Sequence, residues 1–167
     1  MAKSMVRNGF PDPQHDHRSC VSEMLQRAGD LFEAKGIRLT PLRRLVLEEI
    51  ACSHTAVGAY DILDRLSRKA DKRLAPISVY RALDSLVDAG VVHRLESRNA
   101  FFACHAPHAG DRHQVVLACE SCGVVAEVAA DSVFSGLATT AASAGFTIAR
   151  SMIEVFGTCR DCADHAA

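Results

Sequence analysis

The sequence predicts an α+β chain in two parts: an N-terminal winged helix-turn-helix, then a small α/β unit held by four cysteines. Three observations predict this. Apolar residues recur at helical spacing from Val21 to Gly90. After Gly90 the period drops to two, in short runs parted by turn residues. Two C-x-x-C pairs, Cys119-Glu-Ser-Cys122 and Cys159-Arg-Asp-Cys162, then stand in the second part. At 167 residues the chain is long enough for one core or two small ones. The division read from these signals is a mobile tail at 1–19, a winged-helix domain at 20–104, a hinge at 105–112 and a second domain at 113–163.

The elements follow in order. Residues 1–19 contain Pro11, Pro13, Asp12 and Asp16 without periodicity, which reads as a tail; its His15 and His17 are a weak metal pair at most. Val21, Leu25, Ala28 and Phe32 mark one face of a first helix, ended by Gly36. Thr40 caps a second helix and Pro41 opens it, with Leu42, Leu45, Val46 and Ile50 as its apolar stripe. A third follows Gly58, with Ile62, Leu63, Leu66 and Ala70 inward. Pro76 opens a fourth, running to Ala89-Gly90. Residues 91–97 and 100–104 read as a hairpin turning at Arg98-Asn99, the wing. A strand at 114–118, the first cysteine pair and a strand at 124–129 follow. Then come a helix at 131–144, capped by Asp131 or Ser132, and a long strand at 146–156 that reaches the second pair.

The fourth helix has two unlike faces. At ~100° per residue, Val79, Ala82, Leu83 and Leu86 cluster on one side. Ile77, Ser78, Arg81, Asp84 and Ser85 take the other, with Tyr80 at the flank. An exposed Tyr-Arg pair near the start of such a helix suits a major groove, where Arg reads guanine bidentately. The alternative is an ordinary polar face. Charge leans the same way. Residues 1–90 carry 14 Lys and Arg against 12 Asp and Glu, whereas residues 91–167 carry 5 against 8. Lys35, Arg38, Arg43 and Arg44 form one basic block; Arg65, Arg68, Lys69, Lys72, Arg73 and Arg81 form another. Such blocks face phosphate or simply solvent.

Seven cysteines, with no apolar leader at the start and no apolar run near the ~18 residues of a membrane span, indicate a cytoplasmic protein whose thiols bind metal. Four thiols in two knuckles suit one tetrahedral zinc. The 36 residues between the knuckles leave room for strand, helix and strand. Redox dithiols or buried free cysteines are the competing reading.

Arg38-Leu-Thr-Pro-Leu-Arg-Arg44, Ala59-Tyr-Asp-Ile-Leu63, Ser78-Val-Tyr-Arg-Ala-Leu-Asp84, Val92-His93 and the paired knuckles resemble the ferric uptake regulator family, and within it the zinc uptake regulators. The resemblance spans roughly residues 20–163, in the family's order. It implies a homodimeric, metal-dependent transcriptional repressor that is not an enzyme. The N-terminal part would bind double-stranded DNA at an imperfect palindrome, and the C-terminal part would dimerise. It implies about two Zn²⁺ per subunit. Cys119, Cys122, Cys159 and Cys162 would hold a structural ion, and His93, Cys104, His113 and Glu127 a sensory one. His105 or His108 stands as a substitute for His113, or as part of a weaker third site. Tyr60, Tyr80, Arg81 and Ser78 would face the bases and backbone, with Arg38, Arg43 and Arg44 on phosphates. A thiolate in the sensory set favours zinc over iron or manganese, which prefer nitrogen and oxygen donors. Other expectations stay in contention: an iron- or peroxide-sensing relative, a zinc hydrolase or deaminase, and a metal-binding module without DNA.

Overall fold

The structure, a computed structural model, describes residues 6–7, 10–11, 17–69, 74–104 and 114–165. In chain order these form β1 (Val6–Arg7), β2 (Phe10–Pro11), α1 (His17–Ala34), α2 (Pro41–Ala51), β3 (Val57–Gly58), α3 (Ala59–Lys69) and α4 (Pro76–Ala89). Next come β4 (Val92–Leu95), a 3-10 turn at Glu96–Arg98, β5 (Ala100–Ala103), β6 (Gln114–Cys119), β7 (Val125–Ala129), α5 (Asp131–Ser143), β8 (Ile153–Gly157) and α6 (Arg160–His165).

Local chemistry explains the helical part. Thr40 accepts the Arg43 amide through its hydroxyl and Pro41 occupies the first turn of α2. Gly90 ends α4 at φ 80°, which costs a residue without Cβ little, and its amide returns to Leu86 and Val87. Phe32, Leu47, Ile50, Ile62, Leu83 and Leu86 close the first core. Leu45 does not join them; it is 45% exposed, and Leu47 points inward instead. Counting ~100° per residue from Val46 explains the difference: Arg43, Leu47 and Ile50 fall on one arc, and Leu45 falls outside it.

Asn99, at φ 47°, turns the wing from the 3-10 segment into β5. β5 pairs antiparallel with β4 and with β3, a strand the periodicity does not reveal because it is two residues long. The segment read as a tail is corrected in part: β1 pairs with β2, β2 lies beside β7, and α1 already begins at His17. The His17 ring stacks at 5.1 Å on His54, while His15 lies outside the described residues.

In the second sheet the order is β7-β6-β8, with β6 and β8 parallel across the α5 crossover. The predicted strand at 146–156 is shorter, starting at Ile153. The register leaves only Gln114 of β6 beside Met152, and Phe146 is 66% exposed. α5 is preceded by Ala130, without the side-chain cap expected from Asp131 or Ser132. A second core joins the sheets: Leu95 and Phe102 from the wing pack with Val116, Ala118 and Val125. Val125 also donates to the His54 carbonyl at 2.9 Å. Among the described residues no helix is long and apolar enough to cross a membrane.

Candidate metal centres and DNA face

Parallel pairing of β6 and β8 sets Cys119 opposite Gly157, so both knuckles follow neighbouring strand ends. The first turn closes by a Gly123 amide to the Cys119 carbonyl at 3.0 Å, with Gly123 at φ 75°. The second enters α6, which begins at Arg160. The ligand atoms of Cys119, Cys122, Cys159 and Cys162 all lie within 4.8 Å of one another. Cys122 and Cys159 sulfurs stand 3.7 Å apart, far beyond the ~2.05 Å of a disulfide. That spacing matches the edge of a tetrahedron around zinc, ~3.8 Å for bonds of ~2.3 Å.

The electrostatics fit a dication. Burial pushes the Cys119 thiol up, but the amides of Cys159, Cys122 and Ser121 directed at its sulfur outweigh burial and bring it to about 6. Hydrogen bonds within the cluster, first that of Cys159, push Cys162 up to about 12. Burial first, with the Cys119 and Cys159 thiols, raises Cys122. Cys119 thus takes a negative charge readily while Cys122 and Cys162 resist one; a divalent cation beside them favours their thiolates.

The second group assembles across the two sheets. His93 faces Phe102 in the β4–β5 register, and Cys104 follows two residues later on the same face. Glu127, on β7, completes it: its carboxylate lies 3.2 Å from His93 Nε2, and the ligand atoms of the three residues fall within 4.8 Å. Burial pushes Glu127 up to about 7, against the opposing pull of the Cys104 thiol and the Arg27 guanidinium. One imidazole, one thiol and one carboxylate form a three-donor set able to hold a zinc-like cation. His113, His105 and His108 lie outside the described residues.

On the helical part, Tyr60 is 74% exposed and meets Tyr80 edge to face at 6.4 Å. Arg81, Arg38 and Arg44 are exposed, and Ser78 is half-buried. Arg43, expected on a phosphate, has partners within the fold. Its guanidinium lies 5.6 Å over the Phe32 ring and donates to the Arg38 carbonyl and, at 2.8 Å, to Ser85 Oγ, bracing α2 against α4. Three cations of the second basic block, Arg65, Arg68 and Lys69, have acidic partners within the fold. Buried Glu49 takes Arg65 at 3.5 Å and Lys69 at 2.5 Å, and Arg68 pairs with Asp64.

The ferric uptake regulator family profile matches residues 34–156. The chain belongs to this family. It is 35% identical over 147 residues to the zinc uptake regulation protein of Escherichia coli (strain K12), covering 88% of this chain and 85% of that one. A solved zinc uptake regulator complexed with zinc and DNA superposes at a TM-score of 0.79, with 35% identity over 87% of this chain and 97% of that chain. Holo XcZur superposes at 0.73 with 39% identity, over 85% of this chain and 98% of its own. Apo XcZur reaches only 0.51, at 37% identity over 87% and 99%. The chain thus superposes better on holo XcZur than on apo XcZur.

Sequence reasoning missed Glu49, whose only signal is an acid placed on an apolar helix face. It also missed the wing-tip contacts to Glu154, 58 residues from Glu96.

The Glu127 shift sets a pH dependence. Its folded value lies above the ordinary 4.5, so the folded protein holds a proton there from about pH 4.5 to 7, and the stability this gives is lost as pH rises through 7. A cation needs the carboxylate ionised. Below pH 7, uptake at this site is expected to expel one additional proton, and affinity to fall by about a further tenfold per pH unit. Zinc titrations from pH 6 to 8 check this; an unchanged slope across pH 7 contradicts it.

Proposed function

We propose that the protein is a zinc-responsive transcriptional repressor that binds operator DNA as a homodimer when sensory zinc is bound, and so controls zinc-uptake genes from the cytoplasm. The observation that carries this reading is the convergence of His93, Cys104 and Glu127 from the wing and the C-terminal sheet onto one spot. His113 is assigned as fourth donor, with His105 or His108 as substitutes. Cys119, Cys122, Cys159 and Cys162 are assigned to a structural ion, giving two zinc ions per subunit. The proposed division keeps residues 20–104 as the DNA-binding domain, 105–112 as hinge and 113–163 as dimerisation domain. Family membership supports a regulator and not an enzyme.

Bound zinc would supply a cross-link between the wing and the C-terminal sheet. The chain does the rest. β4 and β5 carry His93 and Cys104, so fixing these residues relative to Glu127 fixes the wing and, through the first core, α4. Exposed Val133 and Leu137 on α5 and Val155 on edge strand β8 support self-association of the C-terminal part. A twofold dimer then presents two α4 helices to half-sites of an imperfect palindrome. Moving such an equilibrium from 1:99 to 99:1 takes about 5.5 kcal/mol of differential binding.

Tyr80, Arg81, Tyr60 and Ser78 are assigned to base and backbone contacts, and Arg38 and Arg44 to phosphates. Arg81→Ala is expected to cost about 1–3 kcal/mol at the cognate base pair, and Arg44→Ala to weaken all sequences alike and flatten the salt slope. Competition binding against single-base operator variants checks both. The test of the function is a mobility shift on palindromic DNA selected from a random pool, with and without zinc. Equal affinity in both conditions would defeat the reading; a response to ferrous iron but not zinc would transfer it to an iron-sensing relative.

A further inference from the structure

The strand that carries His93 is anchored at its other end as well. β4 passes at Leu95 into the 3-10 turn Glu96–Arg98. There the Glu154 carboxylate, on β8, accepts the Glu96 amide at 2.6 Å and the Ser97 amide at 3.2 Å. Arg98 lies 4.8 Å over the Phe156 ring and 3.9 Å from the Glu120 carboxylate, inside the first cysteine knuckle. These contacts join wing tip to C-terminal sheet without using any residue assigned as a metal ligand.

We propose that Glu154 is a positioning residue whose carboxylate latches the wing turn to β8 and sets the zinc concentration at which the protein switches. The inference rests on the regulator reading above. A strand held at one end pivots, while a strand held at both ends keeps its orientation. His93 and Glu96 are three residues apart, ~10 Å of extended chain, so metal site and latch grip opposite ends of β4. Carboxylate-to-amide bonds are the stronger, charge-assisted kind, but Glu96 and Ser97 are exposed, so the latch biases closure without enforcing it. Apparent zinc affinity is reduced by the fraction of molecules not yet competent, and the latch raises the competent fraction. Direction follows from the superpositions. The latch is made in an arrangement nearer holo XcZur than apo XcZur, so it belongs to the closed state and does not oppose it.

The experiment uses the full chain with zinc-titrated DNA binding, and hydrogen exchange at the Glu96 and Ser97 amides in protein saturated with zinc. Glu154→Gln keeps size but loses the second acceptor oxygen and the charge. It is expected to raise the zinc needed for half-maximal DNA binding about five- to tenfold with the plateau unchanged. Phe156→Leu should shift it the same way by about two- to threefold. Both amides should be protected in the wild type and exchange faster in Glu154→Gln. A wild type that responds to zinc with unmoved variants overturns the latch alone. So does fast exchange of these amides in the wild type, whatever the variants do. DNA binding by Glu154→Gln without sensory zinc would also overturn it, making the contact a brake. A wild type indifferent to zinc defeats the regulator reading and the latch with it.

Discussion

Cys119→Ser is expected to abolish the C-terminal fold. The four-cysteine group sits where β6 and β8 end, and its knuckles close the open end of the sheet. A structural zinc of this kind contributes on the order of 10 kcal/mol of folding free energy, comparable with the whole ~5–15 kcal/mol stability of a domain. Cys119 is the most costly of the four to change. It is 1% exposed, its sulfur accepts the Cys159 amide at 3.3 Å, and backbone amides bring its thiol down to about 6. A serine there removes a thiolate ligand and weakens a bond that ties the second knuckle to the first. The expected result is loss of one zinc per subunit, loss of cooperative melting for β6–β8, and a monomer in place of the dimer. Zinc analysis, thermal melting monitored by circular dichroism and sedimentation check it. Cys52→Ser is the control: Cys52 is exposed and outside both clusters, and it should melt like wild type. Retention of both zinc ions by Cys119→Ser, with an unchanged melt, would remove the structural role.

Much of this centre was legible, because C-x-x-C spacing is a local signal and needs only one long-range fact, the parallel pairing of β6 with β8. The α4 faces were legible for a similar reason: Pro76 and Gly90 bound the helix, and one buried stripe decides the rest. What escaped the sequence was contact between distant residues. Arg65 and Lys69 read as a basic block in one dimension, yet Glu49, one helix earlier, pairs with both. The contacts of Arg43 with Phe32 and Ser85 follow from its place on the inner arc of α2, visible only once the helix phase is known. The strand at 146–156 had the right composition but too little partner on β6, and strand length is set by the neighbour as much as by propensity. Glu154 gave no local signal at all. The loop histidines fall outside the described residues, so the fourth sensory donor stays as the resemblance left it.

Cys104→Ser should separate sensing from folding. Cys104 is fully buried behind the end of β5, its amide bonded to the Val91 carbonyl at 3.0 Å, and serine fits its volume. The fold therefore persists, and the four-cysteine zinc with it. The proposed sensory set loses its thiolate, leaving His93, Glu127 and the assigned loop histidine, and nitrogen and oxygen donors without thiolate bind zinc more weakly and discriminate less against iron or manganese. Losing an outer partner of a metal ligand already costs 10–100-fold, so losing the ligand itself should cost at least about 100-fold, or about 2.7 kcal/mol. Subtracted from the ~5.5 kcal/mol that a full switch requires, this leaves roughly half the molecules closed at saturating zinc, where the wild type would be almost entirely closed. The measurable outcome is one zinc per subunit after dialysis where wild type keeps two, an unchanged melting temperature, and a DNA-binding curve shifted to at least about 100-fold higher zinc with a lower plateau. Should Cys104→Ser bind operator at the same zinc concentration as wild type, the donors at the wing junction are not the sensor. The switch would then have to be sought at the knuckles or among the histidines between β5 and β6.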